Sequence, residues 1–194
     1  MKKLTILIFL ASLIMGLSAM PSSAMSSRAE DFIKACTALD SPWPPRGWER
    51  DDLRSVALEV LDAVESGNYD KWPVDFCLKA LGSTQYPEDL PRILAYKEEM
   101  LDTVLFSLKG FPDQKAIEFL IKYLSDKEPT IRELAVYSLG DIDFKKMAES
   151  KKWWDKVISE VRKMKQKEKV GWLKKDIDRV LIKLEKAEPK SKPL

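Results

Sequence analysis

One pattern constrains this chain more than any other. Apolar residues recur at i, i+3, i+4 and i+7 in segment after segment, and short polar breaks separate the segments. Leu53, Val56, Ala57, Val60, Leu61 and Val64 form one such stripe. Val74, Cys77, Leu78 and Leu81 form the next, and Met100, Leu101, Val104, Leu105 and Leu108 follow. Ile117, Leu120, Ile121 and Leu124 precede Ile131, Leu134, Ala135 and Leu139. Trp154, Val157, Ile158 and Val161, then Leu173, Ile177, Val180, Leu181 and Leu184, complete the series. A further stripe, Ala29, Phe32, Ile33 and Cys36, lies upstream. That spacing places each set on one helix face, and no segment alternates as a half-buried strand would. The breaks include Ser66-Gly67-Asn68, Gly82-Ser83, Gly110-Phe111-Pro112 and Asp126-Lys127-Glu128-Pro129. Breaks this short favour antiparallel neighbours, so the predicted class is all-α, built from antiparallel helix pairs.

The pairs resemble one another. Leu81, Leu108 and Leu139 each stand before a Gly or Lys-Gly that closes a stripe, at intervals of 27 and 31 residues. Recurrence near 30 residues is the mark of a short α-solenoid, in which each pair buries its apolar face on the next. The clearest unit runs from Pro112 to Ile142. Its Asp126, Pro129, Arg132, Ala135, Leu139 and Gly140 match the turn Asp, the Pro, the second-helix Arg and the Leu-Gly of short bacterial HEAT repeats. The chain therefore resembles a HEAT-like repeat protein over that unit and departs from the pattern elsewhere. Residues 50–82 lack the Asp and Arg, and residues 87–109 read either as a short pair or as one helix entered at Pro91. The resemblance implies a structural part for these residues, with Arg132 bonding to a turn Asp of an adjacent repeat. Independently, Pro129 suits a first helical turn, and Gly140 is expected to end its helix in the left-handed conformation.

The first residues read as an address. Lys2 and Lys3 precede an apolar run from Leu4 to Leu17, and small residues follow. About 14 apolar residues suit a secretion signal better than a membrane span. Cleavage after Ala24 or after Ala19 fits the small-residue rule. The expected organisation is a signal over 1–24, an N-terminal helix and Pro/Trp-rich connector over 25–49, a HEAT-like helical repeat domain over 50–187 and a disordered tail over 188–194. The expected location is exported, periplasmic or extracellular.

Cleavage changes the charge balance. The whole chain has 33 bases and 31 acids, and loss of Lys2 and Lys3 leaves 31 of each. The basic excess belongs to the signal and gives no support to nucleic-acid binding. The remainder is polarised. Residues 25–144 hold 14 bases and 23 acids, whereas residues 145–194 hold 17 bases and 8 acids. Lys151, Lys152, Lys163, Lys167, Lys174 and Lys175 make a candidate basic surface, with Trp153, Trp154 and Trp172 among them. Two uses of this region stand open: contact with an acidic protein, anionic lipid or an envelope polymer, or a polar cap on the last repeat with its Trp residues in the core. Ser41 to Asp52, with Pro42, Pro44, Pro45, Trp43 and Trp48, reads as a recognition loop or as a stiff connector capping the first pair.

Chemistry finds little footing. The chain has no histidine, which removes Ser-His-Asp and Cys-His arrangements and imidazole metal sites. Its two cysteines are too few for a zinc finger. No glycine-rich phosphate loop and no S-x-x-K box is present. Neighbouring acids such as Asp51-Asp52 and Glu98-Glu99 diverge on a helix. No catalytic residue, cofactor or metal is expected. Cys36 and Cys77 are a candidate disulfide in an oxidising compartment. Closing that loop is worth about 3–4 kcal/mol; the alternative is a pair of buried free thiols. The sequence predicts an exported, noncatalytic scaffold that docks a protein or peptide on its solenoid surface, in an oligomeric state it does not specify.

Overall fold

The computed structural model describes residues 25–37 and 47–189. The expectations for the signal and its cleavage site, for Pro42 to Pro45 and for the tail beyond residue 189 lie outside the described residues. Among those described, every regular element is helical. They are α1 (Ser27–Thr37), α2 (Arg50–Glu65), α3 (Val74–Thr84), α4 (Leu90–Ala95), α5 (Leu101–Ser107), α6 (Gln114–Tyr123), α7 (Pro129–Gly140), α8 (Ser150–Lys167) and α9 (Gly171–Lys186). Single 3-10 turns at Pro87–Asp89 and Phe144–Lys146 precede α4 and α8.

Local chemistry sets several of these ends. Asp113 caps α6 by accepting from the amides of Lys115 at 2.7 Å and Ala116 at 3.3 Å, satisfying donors that a helix start leaves free. Pro129 occupies the first turn of α7, where its missing N–H costs nothing. Residues 87–109 form a short pair, α4 and α5, rather than one helix. Tyr96 ends α4 and the chain turns before Leu101.

The pairs stack. Helix α2 packs on α3, α6 on α7 and α8 on α9, with the shorter α4 and α5 between. The second helices form a continuous layer, α3 on α5, α5 on α7 and α7 on α9. Helix α1 lies on α2. One apolar core runs the length of this arrangement, from Ala29 and Phe32 to Val180 and Leu184. The architecture is thus all-α and solenoid-like.

Burial on several sides explains the composition of the second helices. In α7, Ala135, Val136, Ser138, Leu139 and Gly140 are all buried, because α5, α6 and α9 all pack against it. Helices that close leave room for small residues only. A Cβ at Gly82 would sit 2.6 Å from the Ser107 carbonyl carbon in α5. A Cβ at Gly140 would sit 2.8 Å from Val180 Cγ1 in α9. Both glycines are helical and serve close approach. This corrects the expected left-handed stop at Gly140: α7 is followed by Asp141 at φ −100. Left-handed residues follow other helices instead, among them Gln85 after α3 and Gly110 after α5, at φ 55 and 72. The layer is also stitched by hydrogen bonds. Ser138 Oγ donates to the Leu105 carbonyl at 2.8 Å, and Gln85 Nε2 donates to the Gly110 carbonyl at 3.0 Å.

Arg132 is a second joint, with a different partner from the one expected. Its Nε and Nη2 donate to both oxygens of Glu168, each at 2.8 Å. Its Nη1 donates to the Asp126 carbonyl at 2.8 Å and to the Lys127 carbonyl at 3.1 Å. Glu168 ends α8, so it holds in the last pair the turn position that Asp126 holds in the preceding one. Asp126 accepts from the amide two residues on, Glu128, at 2.9 Å, and Glu168 accepts from Val170 in the same way at 2.9 Å. The expected Asp of the neighbouring turn is therefore a Glu. The Arg132 guanidinium and the Val170 and Lys169 amides hold the Glu168 carboxyl below its usual range, against burial, which opposes.

Candidate binding surface

Half of the predicted basic surface, Lys151, Lys152 and Lys163, is neutralised by neighbouring acids. Lys151 Nζ lies 2.5 Å from Asp155 and 3.4 Å from Glu188, and it covers the Trp154 ring at 4.5 Å. Its own acids, Asp155 first, hold its ammonium above the usual range. Lys152 pairs with Glu149 and Lys163 with Glu160, each at 2.7 Å. Trp153 and Trp154 are buried, and the Trp154 indole donates to the Leu184 carbonyl at 2.8 Å. They belong to the core, not to a surface. Lys167, Lys169, Lys174 and Lys175 flank the α8–α9 turn, and among the described residues none has an ion pair. Exposed Trp172 lies among them.

A different surface stands out, and sequence reasoning overlooked it. Among the described residues, the exposed large hydrophobic side chains are Trp72, Phe106, Tyr137, Trp172 and Ile182. Every one lies on a second helix or, for Trp72, two residues before one. Helix spacing explains part of this. Each second helix gives its buried faces to the core and its neighbours, and one face is left over. That face carries Lys79, Phe106 and Tyr137, each two residues before the terminal leucine of its stripe, and Arg179, two residues before Leu181.

Their side chains interlock from pair to pair. Trp72 meets Phe76 edge-on, with ring centroids 6.3 Å apart. Lys79 Nζ lies 5.9 Å from the Phe76 ring and 5.5 Å from the Phe106 ring, while Asp75 holds it at 2.6 Å. Lys109 also lies 5.9 Å from the Phe106 ring and pairs with Asp141 at 3.0 Å. Asp141 also takes Lys183 of α9. Arg179 pairs with the largely buried Asp176 at 2.6 Å. Burial, then Asp176, pushes the neighbouring Tyr137 hydroxyl above its usual range. Cation–ring contacts at exposed sites are worth only about 0.5–1 kcal/mol each. Their effect is to hold the rings in place in a row that is aromatic and close to charge-balanced. The signal was present in the aligned segments: Lys79-Ala80-Leu81, Phe106-Ser107-Leu108 and Tyr137-Ser138-Leu139 place it in register.

The remaining candidates sort as follows. Asp126, Arg132 and Gly140 serve the joints described above, while Pro129 opens α7 and Leu139 is buried in it. Cys36, half-buried near the end of α1, and Cys77, buried in α3, are free thiols in this structure, the alternative to the disulfide expected of them. Burial, with Asp75 nearby, pushes the Cys36 thiol up to about 12. Burial also raises Cys77, and Cys36 adds to that. A thiol so shifted is a poor nucleophile. Trp48, the described part of the Trp-rich connector, packs edge-on against Phe32 of α1 at 5.9 Å, under the Arg28 guanidinium. Among the described residues no acid or cysteine cluster could hold a metal ion, and no helix is long and apolar enough to cross a membrane.

Comparison with family models, curated proteins and solved structures finds no match to this chain.

Proposed function

We propose that this chain is an exported, noncatalytic, HEAT-like scaffold that docks a protein partner on the exposed face of its second-helix layer. The observation that carries the proposal is the confinement of the exposed large hydrophobics to that layer. Singly scattered apolar residues need no explanation, but a row of them in structural register does. Aromatic side chains held by flanking cations expose area at little entropic cost, which is how interface hot spots work. The balanced charges along the row suit a peptide or protein that brings both signs. The HEAT-like reading rests on the Pro112–Ile142 unit and its Arg132 joint, and export rests on the amino-terminal pattern.

In-cell crosslinking from a photoreactive residue at Phe106 tests the site. It should capture one dominant protein. Phe106→Ala with Tyr137→Ala should weaken that interaction by about 30-fold, equivalent to about 2 kcal/mol. Substitutions on the α6 face, such as Lys122→Ala, should leave it intact. Equal capture from both faces would defeat the reading.

Export carries its own consequence for Cys36 and Cys77. In an oxidising compartment they would pair, tying α1 to α3. Two alkylatable thiols in the protein taken from its native compartment would rule that out.

A further inference from the structure

The charges of the last helix pair are not spread evenly, and their pairing shows where the field escapes. Along α8 and α9, Lys151, Lys152, Lys156, Arg162, Lys163 and Lys165 each have an acid within 4.0 Å. The acids near the turn are all engaged. Glu160 faces Lys163, Glu168 faces Arg132, Asp176 faces Arg179 and Asp178 faces Lys165. Lys167, Lys169, Lys174 and Lys175 are exposed and have no acid partner among the described residues. With Trp172, which is 46% exposed, they fall within a span of nine residues, 167–175. The turn therefore presents a concentrated, uncompensated positive charge around an exposed indole, at the outer end of the helix stack.

We infer that this α8–α9 turn is a docking site for the surface of an anionic lipid bilayer. Four flexible ammonium groups match a field of like-charged headgroups, which asks for charge density and no fixed geometry. A tryptophan suits the same boundary, because its ring is apolar and its N–H is polar. A folded protein partner would be expected to meet a more apolar and less lysine-rich patch. The site is narrower than the basic region as a whole, and it does not depend on the Phe106–Tyr137 row for its logic.

The test uses the full chain and vesicles of phosphatidylglycerol with phosphatidylcholine, against phosphatidylcholine alone, in co-sedimentation. Anionic vesicles should bind the chain and neutral ones should not, and binding should fall at least tenfold when salt rises from about 0.05 to 0.5 M. The variant K167Q/K169Q/K174Q/K175Q should lose at least tenfold. A control that removes the same charge elsewhere, K97Q/K127Q/K145Q/K146Q, should lose less than threefold. Circular dichroism checks that both variants fold. Brominated anionic lipid should quench the wild type more than Trp172→Phe. Equal losses in the two lysine variants would overturn the inference. So would binding indifferent to lipid charge, or vesicle association without the Trp172 quenching difference. Stronger binding to soluble dextran sulfate than to vesicles would assign the patch to a polymer and also overturn it.

Discussion

Two glycines in equivalent places hold this molecule together in different ways. Gly82 lets α3 settle on the backbone of α5 at Ser107, while Gly140 lets α7 settle on a side chain of α9, Val180. Both follow the terminal leucine of their helix, and both were open to the same reading from sequence. The N-terminal joint is main chain against main chain. It cannot adapt without moving a helix. The C-terminal joint is main chain against an isopropyl group, and it is assisted by the Arg132–Glu168 pair across the same two helix pairs. Each end of the stack also has a buried ion pair, since Arg54 donates to both oxygens of the nearly inaccessible Asp89 at 2.7 Å, so the two joints differ in what meets the glycine.

The harshest test of that contrast is Gly82→Ala. The new methyl meets a backbone carbonyl that no rotamer can withdraw, so α3 and α5 must part. Overpacking of this kind costs about 3 kcal/mol or more. Urea unfolding should show that loss, and no substitution at Ser107 should restore it, since the obstruction is main chain. A loss under about 1 kcal/mol would mean that the two helices are not so closely fitted.

Arg132→Met comes next. Glu168 is nearly inaccessible, and removal of its guanidinium leaves a buried carboxylate. Breaking such a pair costs about 3–5 kcal/mol. The low end applies here, about 3 kcal/mol, because the Lys169 and Val170 amides at 2.9 Å remain. The pH dependence follows from the direction of the shift. Glu168 has a folded pKa below its unfolded one, so its contribution is full above the unfolded carboxylate range and is lost as pH falls through the folded value. The wild type should lose stability on acidification, and Arg132→Met should lose less over the same interval. Parallel acid titrations of the two proteins would show that Glu168 is not the group responsible.

The helix pairs were legible because amphipathic periodicity is local. Each stripe reports its own burial whatever it packs against, so Leu53 to Val64 and Leu173 to Leu184 could be read without a partner. Pro129 was legible for the same reason. Gly140 was misread because a glycine after a leucine fits both a helix stop and a close approach, and only the position of Val180 decides between them. The Arg132 partner lies 36 residues away. Nothing in the local spacing says that Glu168 substitutes for an aspartate. The basic third misled for a related reason. Lys151 and Lys163 look like free charge in a count, but helical spacing puts Asp155 and Glu160 beside them. Exposure is also a tertiary property. Trp153 and Trp172 are the same residue type in the same basic stretch, yet one is buried and the other is open.

The smallest expected effect is the most discriminating. Gly140→Ala sets two terms against each other. Alanine in a helix gains about 0.5–1 kcal/mol over glycine, and the new Cβ lies 2.8 Å from Val180 Cγ1. Valine has few rotamers to retreat into, being stiff at χ1, so the clash should win, for a net loss of about 1 kcal/mol. Val180→Ala removes the obstructing methyls at its own cost in packing. Introduced into that background, Gly140→Ala should change sign and stabilise by about 0.5 kcal/mol, because only the helix preference then remains. A double-mutant cycle in urea measures this as a coupling of about 1.5 kcal/mol. No comparable reversal is available at Gly82, where the obstruction is the Ser107 carbonyl. A cycle with no coupling at Gly140 would erase the difference between the two joints and leave helix propensity as the only reason for a glycine there.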